Sequence, residues 1–216
     1  MMTQASVGER VYREIKRRLL AGEFAPGERL DINALGHALA ASITPVRSAL
    51  SRLVGEELLE AHARDGFHRP FVSELGLRDL YAWNALEVAQ AIAIASDNRL
   101  LRAITNSDDD ADRELLDPVA RTEGLFNAIA SSSRNVVCER IVAWLNDQLH
   151  AMRHVEPIAL SDTEAELKEL ESCYAAGRFK DLAAAVEAYH ERRRASVAEI
   201  ISAVHRPDLG RSGATD

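Results

Sequence analysis

The first third of the chain alternates short amphipathic segments with turn signals. Val11, Ile15 and Leu19 recur at helical spacing, with lysine and arginine on the other arcs, which predicts a first helix ending near Gly22. After a Pro-Gly turn, Asp31 is placed to cap a second, short helix whose apolar side chains fall on one face. The pattern therefore predicts two small helices that pack through single apolar faces.

A third helix is predicted directly after the second. Thr44 is expected to cap it, and Pro45 to occupy the first helical position, where the missing N–H costs no hydrogen bond. The predicted buried stripe is Val46, Ala49, Leu50 and Leu53. The side chains expected to face outward are Arg47, Ser48, Ser51 and Arg52. Two helices joined by a tight turn, the second presenting basic and hydroxyl groups, are typical of a helix-turn-helix that fits the major groove of DNA.

A hairpin is predicted after the third helix. Residues 58–62 and 67–72 read as short strands on either side of an Arg-Asp-Gly turn, in which the glycine supplies a positive φ. Such a hairpin forms a wing whose tip can meet the minor groove. The candidate contact residues on it are Arg64, Gly66 and His68. On periodicity alone, a solvated helical cap with ordinary surface arginines explains residues 1–73 equally well.

The rest of the chain shows only helical periods. Predicted helices run from Leu77 to about Leu101, from an acidic stretch at residues 108–118, from Val136 to Met152, from Thr163 to Ala176 and from Phe179 to Val204. Trp83 and Trp144 are expected as core anchors. The predicted fold class is mainly α: a winged helix-turn-helix of three helices and a two-stranded wing, followed by an all-α antiparallel bundle. Bundles place ligand sites between facing helices.

Charge divides the chain in the same place. Residues 1–73 carry ten Lys and Arg against nine Asp and Glu, whereas residues 74–216 carry 16 against 25. Because an acidic body repels phosphate, any contact with nucleic acid is expected in the first part, and we predict two domains, 1–73 for DNA binding and 74–216 for effector binding and dimerisation. Two distant cysteines and the lack of a membrane-length apolar run or secretory signal lead us to expect a cytoplasmic protein without membrane contact.

Two motifs carry a family resemblance. PGERL, and TPVR followed by the spacing x-AL-x-RL, lie in a run over residues 11–60 that resembles the winged-helix head of GntR-family transcription regulators. The resemblance implies a homodimer that binds double-stranded operator DNA, usually as a repressor. It also implies DNA contacts for Ser42, Thr44, Arg47 and Gly66, to which we add Ser48, Arg52, Arg64 and His68 from their outward or wing positions.

Two departures from the family pattern affect these contacts. Ile43 stands where the family usually has an arginine, and Asn33 where some members have one. Both changes remove potential contacts to bases or phosphates, so the operator sequence of relatives does not transfer to this chain.

The helical remainder resembles the FCD (FadR-like C-terminal domain) branch of that family. Many FCD domains bind a divalent cation through one aspartate and three histidines. The positions that match this set here are Glu123, Asn127, Lys168 and His190. Because one carboxylate and one imidazole leave too few donors, and a lysine opposes a cation, we expect no metal and no cofactor there. These four residues are instead our candidates for binding an effector such as a small organic acid, with a hydrogen-bonded polar patch as the alternative.

Two further histidines raise a separate possibility. His150 and His154 are four residues apart and could clamp a metal, but a helix ending at Met152 would make them part of a solvated last turn, which we favour. Arg192, Arg193 and Arg194 are expected to form a solvated face or to pair with the excess carboxylates.

The predicted function is that of a DNA-binding transcription regulator, a repressor whose operator affinity responds to a small metabolite. No GxSxG, HExxH, Walker or GxGxxG pattern supports catalysis, so we do not expect an enzyme. An all-helical metal-dependent enzyme and a protein-binding adaptor, each with an accessory head, are the alternatives.

Overall fold

The computed structural model describes residues 6–97 and 117–204. Tertiary contacts divide them into two compact units, one that ends at Val72, called the head, and one that begins at Ser73, called the bundle. In these two ranges no helix combines the length and apolar character needed to cross a membrane.

Three helices and three very short strands form the head. In chain order they are α1 (Val7–Leu20), β1 (Arg29–Leu30), α2 (Ile32–Ala38), α3 (Ile43–Gly55), β2 (Glu60–His62) and β3 (Gly66–His68). The predicted apolar faces meet in one core, in which Val11, Ile15 and Leu53 are fully buried. Asp31 caps α2 by accepting from the backbone N–H groups of Asn33 and Ala34, as its position predicted.

The start of α3 differs from the prediction. Ser42 is the N-cap, and Thr44 and Pro45 are the second and third helical residues. The first four N–H groups of an α-helix have no partner inside the helix, so proline is tolerated at the third position as well as at the first. The helix therefore gains two residues, Ile43 and Thr44, at its exposed start.

The wing is a three-stranded antiparallel sheet in the order β1-β3-β2. In it, Phe67 pairs with Leu30 on one side and Ala61 on the other. The hairpin of β2 and β3 was predicted, with Gly66 at φ 93° as the turn requires. β1 was not predicted, because two residues are too few to show a strand period.

The described bundle consists of helices. They are α4 (Glu74–Asp97), α5 (Pro118–Ser132), α6 (Val136–Ala159), α7 (Thr163–Ala175), α8 (Phe179–Ala195) and α9 (Val197–Val204). Two predicted ends were wrong: α6 continues past Met152, through Pro157, and the last predicted helix is interrupted at Ser196. The predicted end at Leu101 and most of the acidic stretch lie outside the described residues.

The face of α4 that packs into the bundle is not the face that carries Trp83, contrary to what the sequence pattern had predicted. Leu77, Tyr81 and Val88 are buried, whereas Trp83 and Leu86 are 50% and 61% exposed. The core-anchor expectation for Trp83 was therefore wrong. The result is a bundle helix with large apolar side chains on its outer face.

Candidate nucleic-acid interface and buried polar network

The exposed start of α3 brings together four of the predicted DNA contacts. Ser42, Thr44, Arg47 and Ser48 are all solvent-exposed there. Arg47 forms no hydrogen bond or ion pair with any other described residue, and its guanidinium offers up to five N–H donors. The unpaired N–H groups of the first helical turn lie at the same end, where they favour an anion such as phosphate.

Arg52, five residues after Arg47 on α3, is bound by other side chains of the head. Its guanidinium lies 3.5 Å from the centre of the Tyr12 ring and donates to Glu9 Oε2 at 3.1 Å and to Glu56 Oε1 at 3.3 Å. Glu56 in turn accepts a hydrogen bond from Tyr12 at 2.8 Å. These contacts tie the side chain to α1, so a phosphate must compete with two carboxylates for it.

The wing presents its predicted residues in different states. Arg64 is exposed at φ 72°, two residues before Gly66. His68 has its Nε2 atom 3.2 Å from Asp65 Oδ2, and its ring centre lies 4.6 Å from that of His62 at an angle of 45°. Arg29 was missed by the sequence reasoning. It reaches the wing from β1 and donates to the Asp65 carbonyl at 2.6 Å, which adds a second arginine to this edge.

Glu123 and Asn127 are joined in the bundle through α6. Asn146 donates from its amide nitrogen to the Glu123 carbonyl at 3.3 Å and to Asn127 Oδ1 at 3.0 Å. Glu123 Oε1 lies 2.9 Å from His150 Nδ1 and accepts from Arg153 Nη1 at 3.2 Å. Two of the four predicted effector residues therefore belong to one network.

His190 is buried beside that network. Its Nδ1 lies 2.7 Å from the Val186 carbonyl, its Nε2 lies 2.7 Å from the Asn84 amide oxygen, and its ring stacks on Phe126. Burial, reinforced by the charges of Arg153 and Arg193, lowers the pKa of His190 to about 3. The ring is thus neutral, and because a neutral imidazole carries one N–H, only one of its two nitrogens is a donor.

Lys168 is placed apart from the other three candidates. Its side chain is 61% exposed on α7, and its Nζ lies 3.9 Å from Glu164. The structure does not bring it to the network of Glu123.

The four positions that match the FCD metal ligands do not suit a cation. His190 has both ring nitrogens occupied by protein groups, Asn127 is bound by Asn146, and Lys168 points elsewhere. In the part of the chain that the structure describes, no group of three or more His, Cys, Asp or Glu side chains could hold a metal ion.

Arg153 is the polar residue that sequence reasoning missed. Its side chain is 2% exposed. Among the described residues, its Nε and Nη2 atoms are buried without a hydrogen-bond partner, as is Asn146 Oδ1 two turns earlier on α6. No sequence pattern indicated that Arg153 is buried, because an arginine next to a predicted solvent-facing turn does not differ from a surface arginine. Nε and Nη2 form the edge with which arginine binds a carboxylate through two parallel hydrogen bonds.

Comparison with known proteins supports the architecture of the head. Residues 7–68 match the family described as bacterial regulatory proteins, gntR family. The chain is 32% identical over 84 residues to the HTH-type transcriptional repressor GlaR of Escherichia coli (strain K12), covering 39% of this chain and 38% of that one. It is 35% identical over 100 residues to the HTH-type transcriptional regulator McbR of the same organism, covering 45% and 44%. Each match thus spans less than half of the relative.

A solved structure extends the likeness to the whole fold. The structure entitled E. coli McbR/YncC aligns with a TM-score of 0.68 over 91% of this chain and 99% of that chain, at 19% identity. At this identity the alignment shows a shared fold. Residues 7–68 therefore match the gntR family of bacterial regulatory proteins in sequence, and the chain shares its fold with the McbR/YncC structure.

Proposed function

We propose that this chain is a sequence-specific transcription regulator that binds operator DNA, acts as a repressor in the cytoplasm and responds to a small metabolite. The observation that carries the proposal is the exposed Arg47 at the start of α3, in a head that matches a family of bacterial regulatory proteins. Relatives named as transcriptional regulators favour this function over an enzyme or an adaptor.

The candidate DNA-contact residues fall into groups according to whether other protein groups already bind their side chains. Arg47, with Ser42, Thr44 and Ser48 around it, is suited to read base edges in the major groove. Arg64 and Gly66 at the wing, with Arg29, are suited to phosphates or to the minor groove. Arg52 and His68 take part through rearrangement of their present ion pairs.

Arg47→Ala is expected to weaken operator binding by about 1 to 3 kcal/mol, because a bidentate guanine contact is worth that much. The measurement is fluorescence anisotropy at fixed salt, on a duplex selected by the wild-type protein from a random library. Arg140→Ala, which removes an exposed arginine from α6, is the matched control and should bind as the wild type does. Equal affinity of Arg47→Ala and wild type would remove Arg47 from the reading face.

We further propose that the protein is a homodimer. One head with few free cations offers limited affinity, whereas two heads held together read two half-sites. Trp83 and Leu86, exposed on α4, supply an apolar face that a second copy can cover. Trp83→Glu should therefore change the sedimenting species from two chains to one, and an unchanged mass would exclude this face.

The bundle is proposed to be of the FCD type, with the effector bound in the network of Glu123, Asn127 and His190. Arg153 provides the anchor, since its free Nε and Nη2 edge is the donor pair that a carboxylate fits. A buried guanidinium left half unpaired is costly, so an anion with two oxygens gains energy there. An organic acid bound in this way would shift the arrangement of the heads by its difference in affinity for the two states.

Short mono- and dicarboxylic acids are therefore expected to raise the melting temperature of the protein, whereas their amides are not. Arg153→Lys keeps the positive charge beside Glu123 but loses the two-pronged edge, and it should abolish the increase. Lys168→Gln, which changes an exposed cation outside the network, should leave the increase unchanged. An increase of equal size in Arg153→Lys would contradict this anchor without affecting the DNA-binding proposal.

A further inference from the structure

The two histidines of α6 face each other across one turn of the helix. Their Nε2 atoms lie 3.2 Å apart, and their ring centres lie 4.8 Å apart at an angle of 73°. The His150 side chain is largely buried, and the His154 side chain is exposed, so one ring is fixed by its surroundings and the other is open to solvent.

The helix does not end at this pair. α6 continues to Ala159, so both rings project from a hydrogen-bonded helical segment. The expectation of a solvated last turn rested on an end at Met152, and the longer helix removes that reason. Buried residues continue on the same helix, with Arg153 between the two histidines and Glu156 after them. The backbone that carries the histidines is therefore held on both sides.

Glu123 orients His150. Its Oε1 lies 2.9 Å from His150 Nδ1, so in the neutral ring the proton sits on Nδ1 and the lone pair of Nε2 points at His154. Glu123 is itself held by Arg153 at 3.2 Å. A carboxylate on the far nitrogen is the arrangement that fixes the tautomer of metal-binding histidines.

We propose that His150 and His154 clamp one divalent transition metal ion of the zinc class through their Nε2 atoms, with water in the remaining positions. At metal–nitrogen distances of about 2.0 to 2.1 Å, two imidazole nitrogens on one ion are about 3.0 Å apart at a right angle and about 3.4 Å apart at a tetrahedral angle. The observed 3.2 Å lies between these values. Imidazole nitrogen is the donor that zinc, copper and nickel prefer.

This site differs from the FCD ligand set in both residues and place. Asn127, Lys168 and His190 take no part in it. Glu123 does not bind the ion but holds the ring of His150, which does. Two protein ligands are fewer than a structural zinc site has, so we expect an exchangeable ion rather than a permanently held one.

The test is equilibrium dialysis of the full-length chain against Zn²⁺ after treatment with EDTA, without DNA. The wild type should bind one more ion per chain than either His150→Gln or His154→Gln. His62→Gln, which changes a second pair of neighbouring histidine rings, the one on the wing, should bind as many as the wild type. Circular dichroism checks that each variant is folded, which the exposure of His154 favours.

Two results would overturn the site: no saturable zinc binding by the wild type, or binding unchanged in both His150→Gln and His154→Gln. Long-range nitrogen–proton NMR of the imidazoles gives a second readout, since zinc should shift the Nε2 resonances of these two rings and not those of His62. Either failure would leave the proposed regulator function unaffected, because the measurement involves neither operator nor effector.

Discussion

Arg193→Met is expected to lower the free energy of unfolding by about 3 to 5 kcal/mol, the cost of leaving a buried partner charge uncompensated. Arg193 and Glu156 have side chains 2% and 4% exposed, and Arg193 Nε donates to Glu156 Oε2 at 2.8 Å. Its Nη1 also donates to Glu166 and to the Tyr189 carbonyl. Tyr81 donates to the other oxygen of Glu156 at 2.7 Å, so removal of the arginine strands a carboxylate among α4, α6 and α8.

Urea unfolding followed by circular dichroism measures this loss. Arg194→Met is the matched control, because Arg194 is 42% exposed and pairs only with an exposed Glu191 among the described carboxylates, so its change should stay within about 0.5 kcal/mol. Adding Glu156→Gln to Arg193→Met removes the stranded charge and should restore stability on the order of 1 kcal/mol. If Arg193→Met were as mild as Arg194→Met, the ion pair would not hold the helices together.

The three consecutive arginines show where sequence reasoning stops. Their run after His190 reads as a solvated face, and this is wrong for Arg193, which is buried, whereas the alternative of pairing with carboxylates is right. Nothing local distinguishes Arg193 from Arg194. Its burial depends on Glu156, 37 residues earlier, which is a tertiary contact that a helical period cannot reveal.

The head was more predictable because its determinants are local. Three amphipathic stripes, an Asp cap and a glycine turn each leave a signal within a few residues, and the structure contains all of them. The end of α6 was missed for the opposite reason. Proline disfavours helix at the residue before it, yet Glu156, which precedes Pro157, is helical because Tyr81 and Arg193 bind its carboxylate.

The candidate sites show the same difference between features set by local sequence and features set by tertiary contacts. The exposed residues at the start of α3 could be named from their spacing, since a stripe of buried positions fixes which side chains face outward. The free edge of Arg153 and the orientation of His150 by Glu123 could not, because they depend on how α5 packs against α6.

Acidification from pH 7 to pH 5 is expected to cost the bundle about 2 kcal/mol of stability through His190 alone, rising to about 3 kcal/mol at pH 4. Burial depresses the pKa of His190 from 6.5 to about 3 in the folded state. The unfolded chain therefore binds a proton on this ring below pH 6.5, whereas the folded chain does not, so stability falls as the pH falls through that window. Above pH 7 both states are neutral, and the ring makes no contribution to pH dependence.

The hydrogen bonds of His190 explain why the folded state resists the proton. The neutral ring carries one N–H, at Nδ1, which donates to the Val186 carbonyl. Its Nε2 then needs a donor, and the Asn84 amide supplies one when the amide nitrogen faces the ring. That orientation also satisfies the Asn84 Nδ2 atom, which is otherwise buried without a partner. A protonated ring would lose this bond and bring a charge close to Arg153 and Arg193.

His190→Gln should therefore flatten the dependence of unfolding free energy on pH between 5 and 7 by about 2 kcal/mol, whereas His37→Gln, on the exposed face of α2, should keep the full slope. The same slope in His190→Gln and wild type would mean that other groups carry the acid sensitivity of the bundle.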